Sequence, residues 1–329
     1  MTTDVARPTA PGMITRGGGA LFKRSGEIAG IFVLLVLLLI VYAVYDPSLF
    51  SGASIVILSA QFLPLIIAAM AQAVVMLTGG IDLSIGAVLS LVMSIFAVLA
   101  TPLGVVPAML VAMLAGIAVG LINGMLVALA RLPSIIVTLA ASFLWSGVTL
   151  AILPKPGGEV PYGLVRAYNR GWNGIAIGFA VLLVVLVAWK LVARSRFGLS
   201  VYALGGNEHG AFASGIPVRR VRIAAYGLSG ALVGIAGIAL TLQTGTGDAN
   251  LGTPYTLNSI AAAILGGVSF LGGVGHMRGV VMGALVVAVL PILLLFIGVS
   301  PFYQLVVQGG ILIVAFASKF LIMRRKQVV

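Results

Sequence analysis

Ten apolar runs, each near the length of a membrane span, fill this chain and leave little else to fold. They fall at 28–45, 53–77, 83–101, 104–130, 134–153, 173–193, 221–243, 256–271, 277–297 and 301–323. About twenty consecutive apolar residues carry an α-helix across the hydrocarbon core of a bilayer. In that solvent every backbone N–H and C=O must be satisfied inside the protein, which leaves helices or a closed barrel. The runs are continuous rather than alternating, so helices are expected. Only 8% of the 329 residues are charged and 61% are hydrophobic, against about 25% charged in a soluble domain. The expected fold class is all-α: a polytopic membrane protein of about ten transmembrane helices. At 83–101 and 256–271 a broken or re-entrant segment stands as the alternative to a full span.

The runs are separated by DPSLFSG, TGG, TP, RLPS, PKPGGEVP, GTGDANLGTP, GGVGH and GVSP. Proline and glycine end helices by removing a donor or favouring non-helical dihedrals. Ten spans put both termini on one side. With that side cytoplasmic, sixteen of the nineteen Lys and Arg fall inside and only Lys155, Arg166 and Arg170 fall outside. This is the asymmetry of the positive-inside rule. It also accounts for the net charge of +12, so nucleic acid is not an expected partner; membrane lipid is. Residues 1–26 are polar, basic and rich in Gly and Pro, a disordered cytoplasmic tail by composition. The run after it is too long for a signal-peptide core and lacks a small-residue cleavage site, so it reads as a retained first span. A single transmembrane domain is expected over 27–323 and a short basic cytoplasmic tail over 324–329. An outer loop lies at 154–172. An inner loop lies at 194–220, with a short helix at about 207–214. No cysteine is present, which excludes disulfide and thiolate chemistry.

Catalytic constellations are few. GLSG at 227–230 with the distant His276 mimics the serine and histidine of rhomboid-type intramembrane proteases, but Ser229 reads better as a small packing residue. GGGALFKRS at 17–25 lacks the glycine that a phosphate loop places before its lysine, so no nucleotide hydrolysis is expected in this chain. No metal-ligand spacing occurs. The polar residues inside the runs are amides and hydroxyls: Gln61, Gln72, Asn123, Thr138, Ser142, Gln243, Asn258, Ser259, Gln304 and Gln308. An ion-coupled secondary transporter, the alternative function, usually needs a buried titratable group within a span. Uncharged polar groups suit a neutral, polyhydroxylated solute, or simply bond helix to helix. Gln61, Gln72, Asn123, Thr138 and Asn258 are the candidate pathway residues.

The stretch LTGGIDLSIG at 77–86 combines a helix break with one of only seven acidic residues. Asp82 can accept from the free N–H groups of the following helix, so it reads as a cap at a broken junction ahead of contact with a solute or with a partner chain. Asp46 and Asp248 read as turn residues, with an extracytoplasmic partner as the alternative for Asp248. Gly79 and Gly80 here, and Gly266 and Gly267 in ILGGVSFLGG, place a GG pair after an apolar helix in each half. This hints at the pseudo-symmetric halves common in transporters. Gly79, Gly80, Asp82, Ser84, Gly266 and Gly267 form the structural motif.

LTGGIDLSIGAVLSLV at 77–92, GGNEHGAFASGIPVRRVRIAAYGLSGALVGIAG at 205–237 and NSIAAAILGGVSFLGGVGHMRGVVMGAL at 258–285 resemble the membrane permeases of bacterial ABC importers for simple sugars, the ribose/galactose/arabinose/xylose type. The resemblance covers roughly 50–320. It implies the fold of the larger, type II-like importers, with about ten helices per subunit. It implies import of a monosaccharide or similar neutral polyol across the bacterial inner membrane. The partners implied are a second permease, identical or homologous, an ATPase with two fused nucleotide-binding halves, and an extracytoplasmic sugar-binding protein. ATP and Mg would sit on the ATPase, and no cofactor in this chain. The loop between the sixth and seventh spans would carry the coupling helix. Onto it fall Asn207, Glu208, Ala211, Ser214, Gly215, Ile216 and Pro217 of the family's NExxAxxSGIP pattern. His209, Gly210 and Phe212 depart from the usual residues, and Gly210 weakens a short helix by about 1 kcal/mol relative to Ala.

Overall fold

The computed structural model describes residues 17–300 and positions 303, 306, 309, 310 and 313, with side chains from 29 onward. The expected tenth span at 301–323, the tail at 324–329 and residues 1–16 of the expected N-terminal tail lie outside the described residues, those five positions excepted.

Among the described residues the chain is helical throughout. In order come α1 (Gly17–Tyr45), a 3₁₀ turn (Pro47–Phe50), α2 (Gly52–Leu77), α3 (Ile85–Leu99), α4 (Val105–Leu129), α5 (Ser134–Ile152), α6 (Tyr162–Arg170), α7 (Ile177–Arg194), α8 (Arg196–Gly206), α9 (Glu208–Ala213), α10 (Val218–Thr244), α11 (Thr253–Leu265) and α12 (Met277–Phe296). Six of them, α2, α4, α5, α7, α10 and α12, are long and apolar enough to cross a membrane. α1 begins well ahead of its apolar run: 17–26, expected as part of the tail, is helix here, with no proline to stop it. Its apolar part, Ala29–Tyr45, and α3 are shorter apolar helices. The expected outer loop holds α6, and the inner loop holds α8 as well as the short helix at 208–213.

Burial sorts the helices. From Phe62 to Leu77 every residue of α2 is buried, because α10, α11, α12, α7, α6 and α8 surround it. A helix that is apolar on all sides belongs inside. α5 and α7 instead turn large apolar side chains outward: Phe143 is 73% exposed and Leu191 is 68% exposed. Patches of that size mark a lipid-facing surface. α10 packs most extensively against α4, and glycines let the two backbones approach. A Cβ on Gly120 would come within 2.3 Å of the Tyr226 carbonyl oxygen, and one on Gly230 within 2.2 Å of Gly116 O. Small residues at such crossings are how membrane helices associate.

α3 and α11 are the exceptions in length, at 15 and 13 residues. They measure about 22 and 20 Å, short of a ~30 Å core. Neither starts at an end of the bundle. Leu89 and Val92 of α3 lie against Gly237, so α3 begins beside the middle of α10. α11 starts where α3 starts. Gly86 N–H donates to Thr256 Oγ1 at 3.1 Å, and Gly252 N–H donates to Ser90 Oγ at 2.9 Å. The two short helices therefore meet N-terminus to N-terminus, overlap by about one turn, and diverge toward opposite ends. At 83–101 and 256–271 the chain therefore forms helices of 15 and 13 residues, each entered through an irregular segment.

Candidate functional site

Three segments converge at the end of the bundle that carries the arginines. α2 closes on Gly79, whose φ of 82° is left-handed. Gly79 N–H donates to Met76 O at 2.9 Å and Gly80 N–H to Val75 O at 3.3 Å. This double closure needs a residue free to adopt positive φ. Against it lies the end of α8. A Cβ on Gly205 would sit within 1.9 Å of Leu77 O and 2.4 Å of Gly273 N. Gly273 N–H in turn donates to Leu77 O at 3.0 Å. The inner-loop helix α8 is thus joined, backbone to backbone, to the end of α2 and to the α11–α12 connection.

Beyond Gly80 the chain turns back into the bundle. Asp82, 4% exposed, accepts from Ser84 N–H at 2.8 Å and Ser84 Oγ at 2.6 Å. Asn123 Nδ2 donates to the same Ser84 Oγ at 2.9 Å. Ile81 N–H donates to Ser134 Oγ and Leu83 N–H to Thr138 Oγ1, at 3.2 and 2.9 Å. Every one of these bonds satisfies a group of an irregular segment that has no helix to satisfy it. Asp82 caps the turn ahead of α3, two residues before the helix N-cap, which itself falls at Ser84 without a side-chain cap.

The candidate pathway residues separate. Asn123 and Thr138 serve the Asp82 segment. Gln72 is enclosed in α2, with neither amide atom hydrogen-bonded. Gln61 is exposed and Asn258 half-buried. Gln304 and Gln308 lie outside the described residues. Ser229 is buried inside α10 while His276 is exposed ahead of α12, so the protease pair does not assemble. Among the described residues there is no group of three His, Cys, Asp or Glu able to hold a metal.

α9 is built to stand alone. Asn207 Oδ1 accepts from Gly210 N–H at 2.9 Å, capping its start. At its other end Gly215 N–H reaches Phe212 O and Ile216 N–H reaches Ala211 O, the same closure as at Gly79. Ala211 is buried under the helix, and Phe212 is 74% exposed on it. Glu208 Oε2 lies 2.7 Å from Arg222 Nη2, which ties α9 to the start of α10. The pattern Asn207–Pro217 is therefore a capped turn of helix: an N-cap, a buried Ala, a C-terminal Gly with its apolar follower, and a Pro that starts the next helix.

Between α9, the α2–α3 segment and the α4–α5 turn opens a cavity of about 1070 Å³. Gly79, Gly80, Arg131, Ser134, Glu208, Arg219, Arg220, Arg222 and Tyr226 are on its wall. Sequence reasoning singled out neither Tyr226 nor Arg222: Arg222 pairs with Glu208, 14 residues away, and Tyr226 lies beside Gly80 and Ser134, which are far from it in sequence.

At the opposite end, α10 closes on Gly245, also left-handed with φ 77°. Asp248 Oδ1 accepts from Asn250 N–H at 2.8 Å, as Asp82 does from Ser84. The segment then reaches Gly252, whose Cβ would meet Gly86 O at 2.2 Å. Laid side by side, TGGIDLSIG at 78–86 and TGTGDANLG at 244–252 share Thr, Gly, Asp and the final Gly at the same four places. The GG pairs at 79–80 and 266–267 are not matched in this way: the first precedes a short helix, the second follows one. The sequence signal was the spacing T-G-x-x-D-x-x-x-G, not the doublet. At this same end Tyr168 of α6 donates to Ala60 O at 3.0 Å, and burial pushes its phenol above the ordinary range.

The branched-chain amino acid transport system / permease component family matches residues 54–316. A ribose import permease of Bacillus subtilis is 35% identical over 301 residues, covering 90% of this chain and 92% of that protein. A D-allose transport system permease of Escherichia coli is 34% identical, covering 89% and 91%. A galactose/methyl galactoside import permease of Salmonella typhimurium is 31% identical, covering 91% and 95%. No solved structure matches the chain at a significant level. With a family match over most of its length and relatives this similar end to end, the chain belongs to the permease family of ABC importers, in its carbohydrate-uptake group.

Proposed function

We propose that this chain is the membrane subunit of an ATP-driven importer that carries a monosaccharide or similar neutral polyol into a bacterial cytoplasm. The observation that carries the substrate class is the set of relatives: permeases named for ribose, allose and galactose, each matched over about nine-tenths of this chain. The amide- and hydroxyl-rich spans fit an uncharged solute. Two copies, or this chain and a homologous sister, form the pathway between them. An extracytoplasmic binding protein delivers the sugar. A separate ATPase with two fused halves holds ATP and Mg, and the end carrying the arginines and both termini faces it in the cytoplasm.

In this reading the permease domain spans 27–323 with ten crossings, α3 and α11 counted, in two halves of inverted topology. Support for the halves comes from the two junctions that share spacing, left-handed glycine and Asp turn at opposite ends. Inverted repeats with broken helices at mid-depth are a recurrent transporter plan. α9 is the coupling helix. Asn207, Ala211, Ser214, Gly215, Ile216 and Pro217 shape it, and Glu208 anchors it to Arg222. Exposed Phe212 gives the ATPase an apolar contact. Movement of α9 reaches the core through the Gly205 contact with Leu77 and Gly273, so the ATPase cycle turns into alternating access. The test is co-purification with the cognate ATPase. Glu208→Arg places two cations face to face and is expected to reduce both ATPase recovery and uptake while the permease still folds. Normal recovery with normal uptake would refute the role of α9.

A further inference from the structure

The cavity under α9 is strongly one-signed. Arg131 enters from the α4–α5 turn, and Arg219, Arg220 and Arg222 from the first turns of α10, against the single carboxylate Glu208. Positive-inside topology explains arginines at this end, but not their grouping around one concavity from two segments far apart in sequence. Nor is the grouping locally favourable. Three of the four cations stand at the positive end of a helix dipole, where like charge is destabilising. The start of α10 also has no side-chain cap, with Pro217 at the cap position. A second, separate observation points into the same space. Tyr226 lines the cavity and is fully buried, and its hydroxyl meets full hydrogen-bond geometry with no partner, with the Ser134 hydroxyl beside it.

We propose that this cavity binds the phosphodiester headgroup of an anionic membrane phospholipid. Uncapped helix N–H groups with arginines suit a phosphate, and a free donor such as the Tyr226 hydroxyl adds to them. The apolar border selects a lipid over a free anion. Leu129, Leu132 and Ile136, on either side of Arg131, are 55%, 46% and 62% exposed, and they offer acyl chains a surface continuous with the cavity mouth. Basic pockets between transmembrane helices are known headgroup sites in general. A consequence follows for α9, and it rests on the coupling role proposed above. The phosphate competes with Glu208 for Arg222, so lipid occupancy loosens the one ion pair that holds α9 to α10.

The test is native mass spectrometry of the purified full-length chain, titrated with phosphatidylglycerol or phosphatidylcholine. It reads lipid binding directly and involves neither transport nor the ATPase. Phosphatidylglycerol is expected to bind its first site about tenfold or more tighter than phosphatidylcholine. Arg131→Gln with Arg220→Gln should remove that preference. The charge-conserving pair Arg131→Lys with Arg220→Lys should keep most of it, which separates charge loss from misfolding. Arg278→Gln, outside the cavity, should leave it unchanged. Equal binding of the two lipids, an unaltered preference in the double Gln variant, or displacement of phosphatidylglycerol by millimolar inorganic phosphate would each overturn the proposal.

Discussion

The segments 78–86 and 244–252 share a spacing and a backbone course but live in different surroundings. Asp82 and Ser84 are sealed in the bundle, and Asn123, Ser134 and Thr138 satisfy what the turn leaves over. Asp248 is half-buried and Asn250 exposed. Their segment is held instead by backbone pairing of Gly247 with Gly157, at 2.8 and 3.0 Å in the two directions. The difference teaches that the shared geometry comes from glycine and the Asp turn, whereas the hydrogen bonds each segment needs from the rest of the protein depend on water. A buried irregular segment must match each polar group within the protein, since an unmatched one costs about 1–3 kcal/mol. An exposed one need not.

Ranked by effect, the strongest way to break this comparison is at the shared contact. Gly86→Val and Gly252→Val both drive a side chain into the opposing backbone, within 2.5 and 2.2 Å at the first carbon. Each is expected to destabilise by about 3 kcal/mol, the upper end for overpacking, and to abolish a monodisperse peak in fluorescence-detected size exclusion. Comparable loss at both sites supports the paired junctions; a neutral result at either breaks them.

Next comes Asp82→Ala, which orphans the Ser84 N–H and hydroxyl. It should cost about 1–3 kcal/mol in detergent thermal unfolding. Asp82→Asn keeps an acceptor oxygen and should retain most of that stability and normal uptake. If Asn folds but abolishes uptake, Asp82 has a charge-dependent role beyond the turn. Asp248→Ala should cost less, about 0.5–1 kcal/mol, because Asn250 N–H can turn to water. An Asp248 effect larger than that of Asp82 reverses the comparison. Smallest is Glu208→Gln. Its partner pair is half-open to solvent, with Glu208 51% exposed, and surface pairs contribute about 0–1 kcal/mol. Stability should barely move while ATPase recovery falls.

Long apolar runs announced their helices, and nine of the ten runs lie in the described part of the chain with a helix in each. α9 was legible because Asn207 and Gly215 are local cap signals. α8 was not, because RFGLSVYALGG owes its helix to burial of Val201 and Leu204. The short helices α3 and α11 showed only as an ambiguity at 83–101 and 256–271. Their meeting at Gly86 and Gly252 is a contact across 166 residues, which no local pattern reports. The doublets at 79–80 and 266–267 sit in different settings, one ahead of a short helix and one after it, and glycine is common in membrane helices for reasons of packing. Asn123 and Thr138 bond the Asp82 segment, a task that a sequence does not separate from contact with a solute.

The central claim is that this chain moves a monosaccharide only as part of an ATP-driven assembly. The direct measurement is uptake of labelled sugar into proteoliposomes holding the chain with its ATPase, with binding protein outside and ATP within. The account predicts uptake that needs all three components and stops when ATP is omitted. Uptake by this chain alone, indifferent to ATP and driven by an ion gradient, would contradict it.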